Sequence, residues 1–254
     1  MTESKVIQLR KKLKILLIGD NCLDVYQYGS VDRISPEAPV PVFKFMYEEA
    51  KPGMAGNVEE NLKTFGCNVV YYHGGTSTKT RLIDLKSRQQ IVRIDEDWPC
   101  SPIEFDYKDT FKQYDAIVIS DYNKGSVTYD LIETLRKKFD GPIFLDTKKQ
   151  DLAKFDGVYI KINEAEYKNL HTINDKLIAT LGANGAMYNR KVFPAPKVEV
   201  VDVTGAGDTF LAALAYKFLI KSDIEEAIKF AIQASSITVQ HMGVYAPKLE
   251  EICV

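Results

Sequence analysis

The 254-residue sequence is poor in the side chains that build metal cages and disulfide frameworks. Its three histidines lie far apart, and its four cysteines include no CxxC pair. These residues are His73, His171 and His241, and Cys22, Cys67, Cys100 and Cys253. The spacing therefore predicts neither a zinc site nor a disulfide scaffold, and it favours a reducing compartment.

Long apolar runs and a charge excess of one sign are also absent. The first apolar run, 15–18, is far too short to span a bilayer, and the charged segment before it does not resemble a signal peptide. Lysine and arginine (33) nearly balance aspartate and glutamate (35), so no overall field favours nucleic acid or an anionic membrane. We expect a cytoplasmic protein that binds neither, and any phosphorylated ligand must be bound by local groups.

Short apolar runs alternate with amphipathic segments of helical length, which predicts a parallel sheet with crossover helices in one α/β domain over residues 1–254. The predicted strands are 14–18, 69–72, 116–120, 143–145, 158–162 and 177–181, and the predicted helices are 58–65, 129–139, 209–220 and 224–239. Two segments interrupt this alternation, near 26–46 and 79–95. Prolines punctuate an extended run at 34–43, so we expect these segments to form a small β-flap, or lid, outside the main sheet.

The most informative segment is 202–208, where two glycines precede an acid and an apolar helix follows. Unpaired amides at a helix N-terminus bind anionic oxygens, because the positive end of the helix dipole lies there. A carboxylate at that place, Asp208, is suited to accept a proton beside a phosphate. The segment therefore predicts phosphoryl transfer.

A purely structural interpretation stays open for the same residues. Gly205 and Gly207 would also suit an ordinary tight turn, with Asp208 as an acid in the first helical turn. Two other nucleotide motifs do not fit. Phe210 replaces the third glycine of a dinucleotide fingerprint, and no Gly-Lys-Ser/Thr of a P-loop follows.

Taken together with this segment, six further stretches resemble the PfkB/ribokinase family of small-molecule kinases over nearly the whole chain. They are 19–26, 33–42, 52–58, 78–81, 88–95 and 120–125. The Ser-Pro-Glu-Ala-Pro-Val-Pro and Arg-Gln-Gln stretches resemble the branch that phosphorylates heptose 7-phosphate at the anomeric position. The resemblance implies an ATP-dependent carbohydrate kinase with a ribokinase-like α/β fold. That fold has a central, mostly parallel sheet with helices on both faces and a β-flap.

The resemblance also implies catalytic and nucleotide-binding roles. Asp208 matches the catalytic base, and Gly205, Ala206 and Gly207 supply the amides that hold the transferring phosphoryl group. Asn163 and Glu166 match an Asn-x-x-Glu element that organises water, Mg²⁺ and the nucleotide phosphates. From the residues alone, this pair would also suit an ordinary helix start with Asn163 as the N-cap.

For the nucleotide, Gly182 and Gly185 match the loop that passes beneath ATP in the family. The alternative for these two glycines is a plain hairpin turn. Gly243 falls where the family lines the adenine pocket. The expected cofactors are therefore ATP and Mg²⁺, and the resemblance leaves a monovalent cation open.

For the sugar, Asp24 matches the acid that binds hydroxyls in the family, and Asp20 is a second candidate. Gly53 and Asn57, in the glycine-rich entry to a helix, are the other expected sugar contacts. Three cations, Lys79, Arg81 and Lys124, would neutralise a substrate phosphate. Each of them would equally suit a solvated surface position.

The sequence departs from the family pattern at three places. Met54 stands where the second glycine is usual, and Glu59 stands where alanine is usual. After Gly75 the chain passes directly to 76–78, where the family has a helix and a strand, so we expect one α/β unit to be absent. This departure leaves two alternatives open: another acceptor (fructose, ribose or a nucleoside), or a catalytically silent sugar- or nucleotide-binding homologue.

Two partners are expected besides the small-molecule sugar or sugar phosphate. The lid strands of relatives pair with a second subunit, and an exposed strand edge invites such pairing, so a homodimer is predicted. In the heptose branch the kinase is one half of a bifunctional enzyme, and the other half is a nucleotidyltransferase. This chain ends at Val254 without that half, so a separate protein is expected to supply the nucleotidyl transfer.

Overall fold

Twelve strands and six helices follow one another along the parts of the chain that the structure, a computed structural model, describes: 12–105, 111–170 and 174–252. His171 and Cys253 lie outside these ranges. The strands are β1 (Lys14–Gly19), β2 (Asn21–Ile34), β3 (Pro41–Met54), β4 (Asn68–Tyr72), β5 (Thr76–Asp84), β6 (Gln90–Glu96), β7 (Ala116–Asp121), β8 (Ile143–Thr147), β9 (Tyr159–Asn163), β10 (Leu177–Thr180), β11 (Ala186–Tyr188) and β12 (Lys191–Phe193). The helices are α1 (Ala55–Thr64), α2 (Tyr129–Lys138), α3 (Glu164–Lys168), α4 (Ala206–Lys221), α5 (Ile224–Thr238) and α6 (Leu249–Ile252).

An eight-stranded sheet forms the centre, in the order β12-β11-β10-β9-β8-β7-β1-β4. The six strands from β4 to β10 in this order are parallel, and the hairpin β11–β12 adds two antiparallel strands. Strands β1, β7 and β8 are buried on both faces, which explains their nearly continuous apolar sequence. The six predicted strands of the α/β core are confirmed.

Helices cover both faces of this sheet, as predicted. One apolar cluster packs α1, α4, α5 and α6 against one face. A second cluster packs α2 against the other face. Helices α1 and α4 begin a few residues before the predicted starts, because their first turns are made of small residues that carry no helical apolar period. No described helix is long and apolar enough to cross a membrane.

The lid is a separate four-stranded sheet in the order β3-β2-β5-β6. The presence of this sheet confirms the predicted flap. The prediction that 34–43 is extended throughout was wrong, because a loop interrupts it. Strand β2 ends at Ile34 and β3 begins at Pro41, and Pro36 and Pro39 lie in the loop between them. Proline has no N–H to donate to a strand partner and a fixed φ that suits a turn, so the loop is the natural place for both.

Strand β4 is the last strand at its edge of the central sheet, and the chain passes from it directly into β5 of the lid. This agrees with the expected absence of one α/β unit. Met54, where the family has a glycine, precedes α1 with a φ of 51°. That left-handed conformation is one that glycine adopts without strain and methionine does not.

Candidate active site

Polar side chains gather where the parallel strands end. β1, β7, β8 and β9 all finish at the same edge of the sheet, and the N-terminus of α4 lies against this edge. Open α/β sheets bind ligands outside the carboxyl ends of their strands, because the loops there leave a crevice. The predicted catalytic segment 202–208 therefore lies where the fold provides a site.

Asp208 stands in the first turn of α4 and is only 4% exposed. Its Oδ2 accepts a hydrogen bond from Asn57 Nδ2 (3.0 Å), and its Oδ1 accepts one from the Tyr122 hydroxyl (2.9 Å). Burial raises the pKa of Asp208 to about 6, although the hydrogen bond from Asn57 acts in the opposite direction. The carboxylate makes no salt bridge with a described residue, so it remains available as a proton acceptor near neutral pH.

The two glycines before Asp208 are required by close packing. Gly205 has a φ of 79°, and a Cβ there would lie 2.6 Å from Asn57 Nδ2. A Cβ on Gly207 would lie 2.8 Å from Lys161 Nζ. An amide side chain and an ammonium group therefore pack directly against the backbone at the start of α4. The tight turn that the sequence offered as the structural alternative is present, and the Asn57 amide and the Lys161 ammonium group pack against its two glycines.

Sequence reasoning missed the buried ion pair beneath Gly207. Lys161 Nζ, in the middle of β9, donates to Asp146 Oδ2, near the end of β8, at 2.6 Å. Both residues are 5% exposed, and Asp146 Oδ1 has no hydrogen-bond partner in the part of the chain that the structure describes. Asp146 follows one predicted strand and Lys161 interrupts the apolar run of the next, and these two opposite charges in neighbouring parallel strands were a signal for this pair.

Asn163 and Glu166 form a capping box at the start of α3, the structural alternative that the sequence left open. Asn163 Oδ1 accepts from the Glu166 amide (2.9 Å), and Glu166 Oε2 accepts from the Asn163 amide (2.8 Å). Lys148 Nζ donates to Glu166 Oε1. Burial lowers the pKa of Lys148, but the charge of Asp146 and the hydrogen bond to Glu166 together hold it above its ordinary value.

An apolar cleft of about 520 Å³ opens beside the N-terminus of α4. It is lined by Thr180, Gly182, Ala183, Gly185, 195–198, Val200, Val203, Ala206, Gly207, Phe210, Ile232, Ser235, Ser236 and Val239. The structure thus brings Gly182 and Gly185 next to the catalytic segment. Gly185 has a φ of 91° and lies so close to the Phe193 carbonyl that a Cβ would be 1.9 Å from it.

Gly243 does not line this cleft, and its assignment to the adenine pocket stays a prediction. Its amide donates to Asp202 Oδ2 (2.8 Å), and a Cβ on it would lie 3.1 Å from the Tyr26 hydroxyl. The loop that contains Gly243 therefore packs against the lid and the start of segment 202–208. The apolar wall comes instead from α5, through Ile232, and from the segment after β12.

Asp20 was a second candidate for sugar binding, and the structure corrects this prediction. The residue is completely buried, and its carboxylate accepts from the amides of Tyr122 (2.8 Å), Lys124 (3.0 Å) and Ser126 (3.2 Å). Three buried N–H groups thus occupy its oxygens. Asp20 fixes the loop after β7 and is not directed towards a ligand.

Asp24, the first sugar candidate, lies in β2 of the lid. Its Oδ1 accepts a hydrogen bond from Arg81 Nη1 at 2.5 Å. A Cβ on Gly53 would lie only 2.2 Å from its Oδ2. Among the other predicted cations, Lys124 Nζ donates to Asp97 Oδ2 (2.5 Å). Arg81 and Lys124 are therefore already paired with acids.

Comparison with known proteins finds similarity to carbohydrate kinases. A model of the pfkB family carbohydrate kinases matches residues 160–252, which contain Lys161, Asn163 and the catalytic segment. The bifunctional protein HldE of Nitratiruptor sp. is 33% identical over 95% of this chain, and that of Campylobacter curvus is 34% identical over 96%. The chain is therefore similar to pfkB family carbohydrate kinases, over its C-terminal part by the family model and over nearly all of its length by these relatives.

The matches do not extend over the whole length of the relatives. The chain spans only 64% and 65% of the two HldE proteins. The first match extends over 300 residues although this chain has 254, so the relative carries residues that this chain lacks inside the matched span. This agrees with the direct passage from β4 to β5.

Solved structures share the ribokinase-like fold. Ribokinase of Thermotoga maritima superposes with a TM-score of 0.68 at 20% identity, covering 94% of this chain and 98% of its own. Ribokinase of Arabidopsis thaliana, solved with ribose and ATP, superposes with a TM-score of 0.66 at 17% identity, covering 95% of this chain and 98% of its own.

We expect Asp208→Asn to stabilise the protein. An aspartate whose pKa rises from 3.8 to about 6 on folding binds more protons when folded, so wild-type stability falls as the pH rises through that window. Above pH 6 the variant should be more stable by about 1–3 kcal/mol, measured by denaturant unfolding. Below pH 4 the difference should vanish. A difference in the free energy of unfolding that does not depend on pH would show that burial does not destabilise the ionised carboxylate.

We expect Asp20→Asn to destabilise the protein by about 2–4 kcal/mol, because an amide offers one accepting oxygen to three buried N–H groups. Asp32→Asn, at an exposed lid position, is the matched control and should change the free energy of unfolding by less than about 0.5 kcal/mol. Equal effects of the two substitutions would contradict the structural role of Asp20.

Proposed function

We propose that the protein is an ATP-dependent carbohydrate kinase that phosphorylates a hydroxyl of a sugar phosphate of the heptose 7-phosphate type. One observation carries this proposal: a buried carboxylate, Asp208, with its pKa raised to about 6, stands in the first turn of α4 beside the glycine segment. The positive end of the α4 dipole attracts an anion there, and the carboxylate beside it accepts a proton at neutral pH.

The cleft beside α4 fits a nucleotide. Its volume lies in the range of ligand pockets, and its lining combines apolar side chains with the backbone of Gly182 and Gly185. Ala206 and Gly207 line the same cleft, so a nucleotide in it would reach the first amides of α4 with its phosphates. This continuity supports ATP as the donor.

The residues present also fit Mg²⁺ bound largely through phosphate and water. Among the described residues, no group of three or more histidines, cysteines, aspartates and glutamates could form a complete metal cage. The buried, unpartnered Asp146 Oδ1 and the carboxylate of Glu166 are oxygen ligands near the nucleotide phosphates in the proposed complex. Mg²⁺ commonly uses one or two carboxylates together with substrate phosphates. When bound, it would neutralise charge on the phosphates.

The proposed transfer uses this chain's groups in a simple way. Asp208 takes the proton of the acceptor hydroxyl as the hydroxyl oxygen bonds to the γ-phosphorus, and the bond to the bridging oxygen breaks to release ADP. The amides at the start of α4 stabilise the charge on the transferring group, and Lys161 Nζ lies directly beneath Gly207 to add a positive charge. Positioning and charge stabilisation supply most of the catalysis in such transfers.

The acceptor is proposed to lie between the lid and Asp208. Asp24, Gly53 and Asn57 would contact sugar hydroxyls, and Lys79, Arg81 and Lys124 would contact a phosphate. Arg81 and Lys124 are paired with Asp24 and Asp97, so an incoming phosphate must compete with these acids. The similarity to HldE proteins supports a heptose phosphate as the acceptor.

We expect ADP release from ATP in the presence of heptose 7-phosphate, measured with a coupled assay against a panel of sugars, sugar phosphates and nucleosides. The acid limb of kcat/KM should lie near pH 6, because Asp208 must be ionised to accept a proton. Asp208→Asn should lower kcat by about 10²–10⁴, the usual contribution of a general base, and Asp32→Asn should not. ATP binding without turnover on any acceptor would instead indicate a silent homologue.

We also propose a homodimer formed through the lid. The lid sheet ends in two edge strands, β3 and β6, and carries exposed apolar side chains on its strands. They include Phe45, Met46, Val92 and Ile94, with Trp98 just beyond β6. An apolar sheet of this kind is covered by a partner in stable proteins, or it aggregates.

For this reason Phe45→Glu should shift the protein from dimer to monomer in sedimentation-velocity experiments. Val192→Glu is a matched control on β12, since the two side chains are 56% and 52% exposed. It should leave the sedimentation coefficient unchanged. A wild-type protein that sediments as a monomer at micromolar concentration would contradict the proposed dimer, but it would not bear on the proposed kinase activity.

A further inference from the structure

Tyr122 occupies an oxygen of the proposed base. It follows β7 directly, and its hydroxyl donates to Asp208 Oδ1 at 2.9 Å while Asn57 donates to Oδ2 at 3.0 Å. Each carboxylate oxygen therefore already has a donor. An acceptor hydroxyl that is to give its proton to Asp208 must first find an oxygen with a free lone pair in the right direction.

The backbone and the ring of Tyr122 make separate contacts. The Tyr122 amide donates to the buried Asp20 carboxylate (2.8 Å), and Lys148 Nζ lies 5.5 Å from the ring centroid. Burial and the charge of Asp208 hold the pKa of Tyr122 well above its ordinary value. The hydroxyl consequently stays protonated at neutral pH and acts only as a donor to the carboxylate.

We propose that Tyr122 is a positioning residue whose hydroxyl holds the place of the acceptor hydroxyl on Asp208 until the acceptor displaces it. This inference rests on the proposed kinase function. Two consequences follow from the geometry. Without acceptor, the hydroxyl keeps water off Asp208 Oδ1 and so suppresses hydrolysis of ATP. With acceptor bound, Oδ1 exchanges one hydroxyl donor for another, and the Tyr122 side chain turns aside.

Other charges around this pair stay in place when the tyrosine hydroxyl is removed. They are Asp146 on β8 and Lys161 on β9, which act on Asp208, and Asp24 on β2 and Lys148 after β8, which face Tyr122. The Tyr122 hydrogen bond favours the ionised form of Asp208. Loss of this hydrogen bond therefore raises the pKa of Asp208 in the free enzyme. In a complex where the acceptor hydroxyl has already replaced the tyrosine hydroxyl, the same loss leaves the pKa of Asp208 unchanged.

The test compares Tyr122→Phe with wild type and with Tyr188→Phe, which removes a hydroxyl from β11 outside the site. In Tyr122→Phe, ATP hydrolysis without acceptor should rise about ten-fold. The acid limb of kcat/KM, which reports the free enzyme, should move up by about one pH unit, while the acid limb of kcat, which reports the complex, should stay in place. Tyr188→Phe should show none of these changes. Tyr122→Met, a second variant without the hydroxyl, should reproduce both effects.

The outcomes separate this inference from the proposed function. If wild type phosphorylates an acceptor but both Tyr122 variants hydrolyse ATP and titrate like wild type, the place-holding role is wrong and the kinase proposal stands. Equal shifts of both acid limbs would mean that Tyr122 stays on Asp208 throughout the reaction, which also overturns the inference. A wild type without turnover on any acceptor overturns both proposals together.

Discussion

The site depends on keeping one carboxylate ionised away from water. Raising the pKa of Asp208 to about 6 corresponds to about 3 kcal/mol of unfavourable burial at neutral pH. The fold limits this cost with donors that come from separate elements: Asn57 from α1, Tyr122 after β7 and the helix dipole of α4. The relative positions of α1, β7 and α4 are therefore constrained at one point, and a shift in any of them would leave the carboxylate short of a partner.

Polar groups in this protein are concentrated at one edge of an apolar sheet. β7, β8 and β9 are mostly apolar, but they contribute Asp121, Asp146 and Lys161 to two buried ion pairs, Lys149–Asp121 and Lys161–Asp146. Buried ion pairs contribute little net stability, because desolvation offsets their attraction. Stability therefore comes from the apolar part of each strand, and the charged groups lie around the proposed site. Asp146 Oδ1, which has no hydrogen-bond partner among the described residues, is a candidate ligand of the proposed magnesium ion.

The fold was predictable from the sequence where a physical signal is local. Fully buried parallel strands show continuous apolar runs, and segment 202–208 carries its small residues and acid together. Side-chain partners were not predictable, because Asn57 and Asp208 are 151 residues apart and Tyr122 and Asp208 are 86 apart. Asp20 looked like a ligand for the same reason: its partners are three backbone amides of a distant loop. The roles of Asp24, Asn57 and the lid cations towards a sugar remain predictions.

The segment after β6 packs beside the end of β4, where the chain passes directly into the lid. There the Ser101 amide donates to the Gly74 carbonyl (3.1 Å), and a Cβ on Gly74 would meet the Ser101 carbonyl at 1.8 Å. The same segment binds the loop after β7, since the Cys100 amide donates to the Lys124 carbonyl (3.1 Å) and the Ile103 amide to that of Ser126 (2.9 Å). This loop carries Tyr122. The lid strands are thus connected through this segment to the loop that carries Tyr122, so the proposed binding of a sugar under the lid and the proposed displacement of Tyr122 from Asp208 would act on one continuous piece of chain.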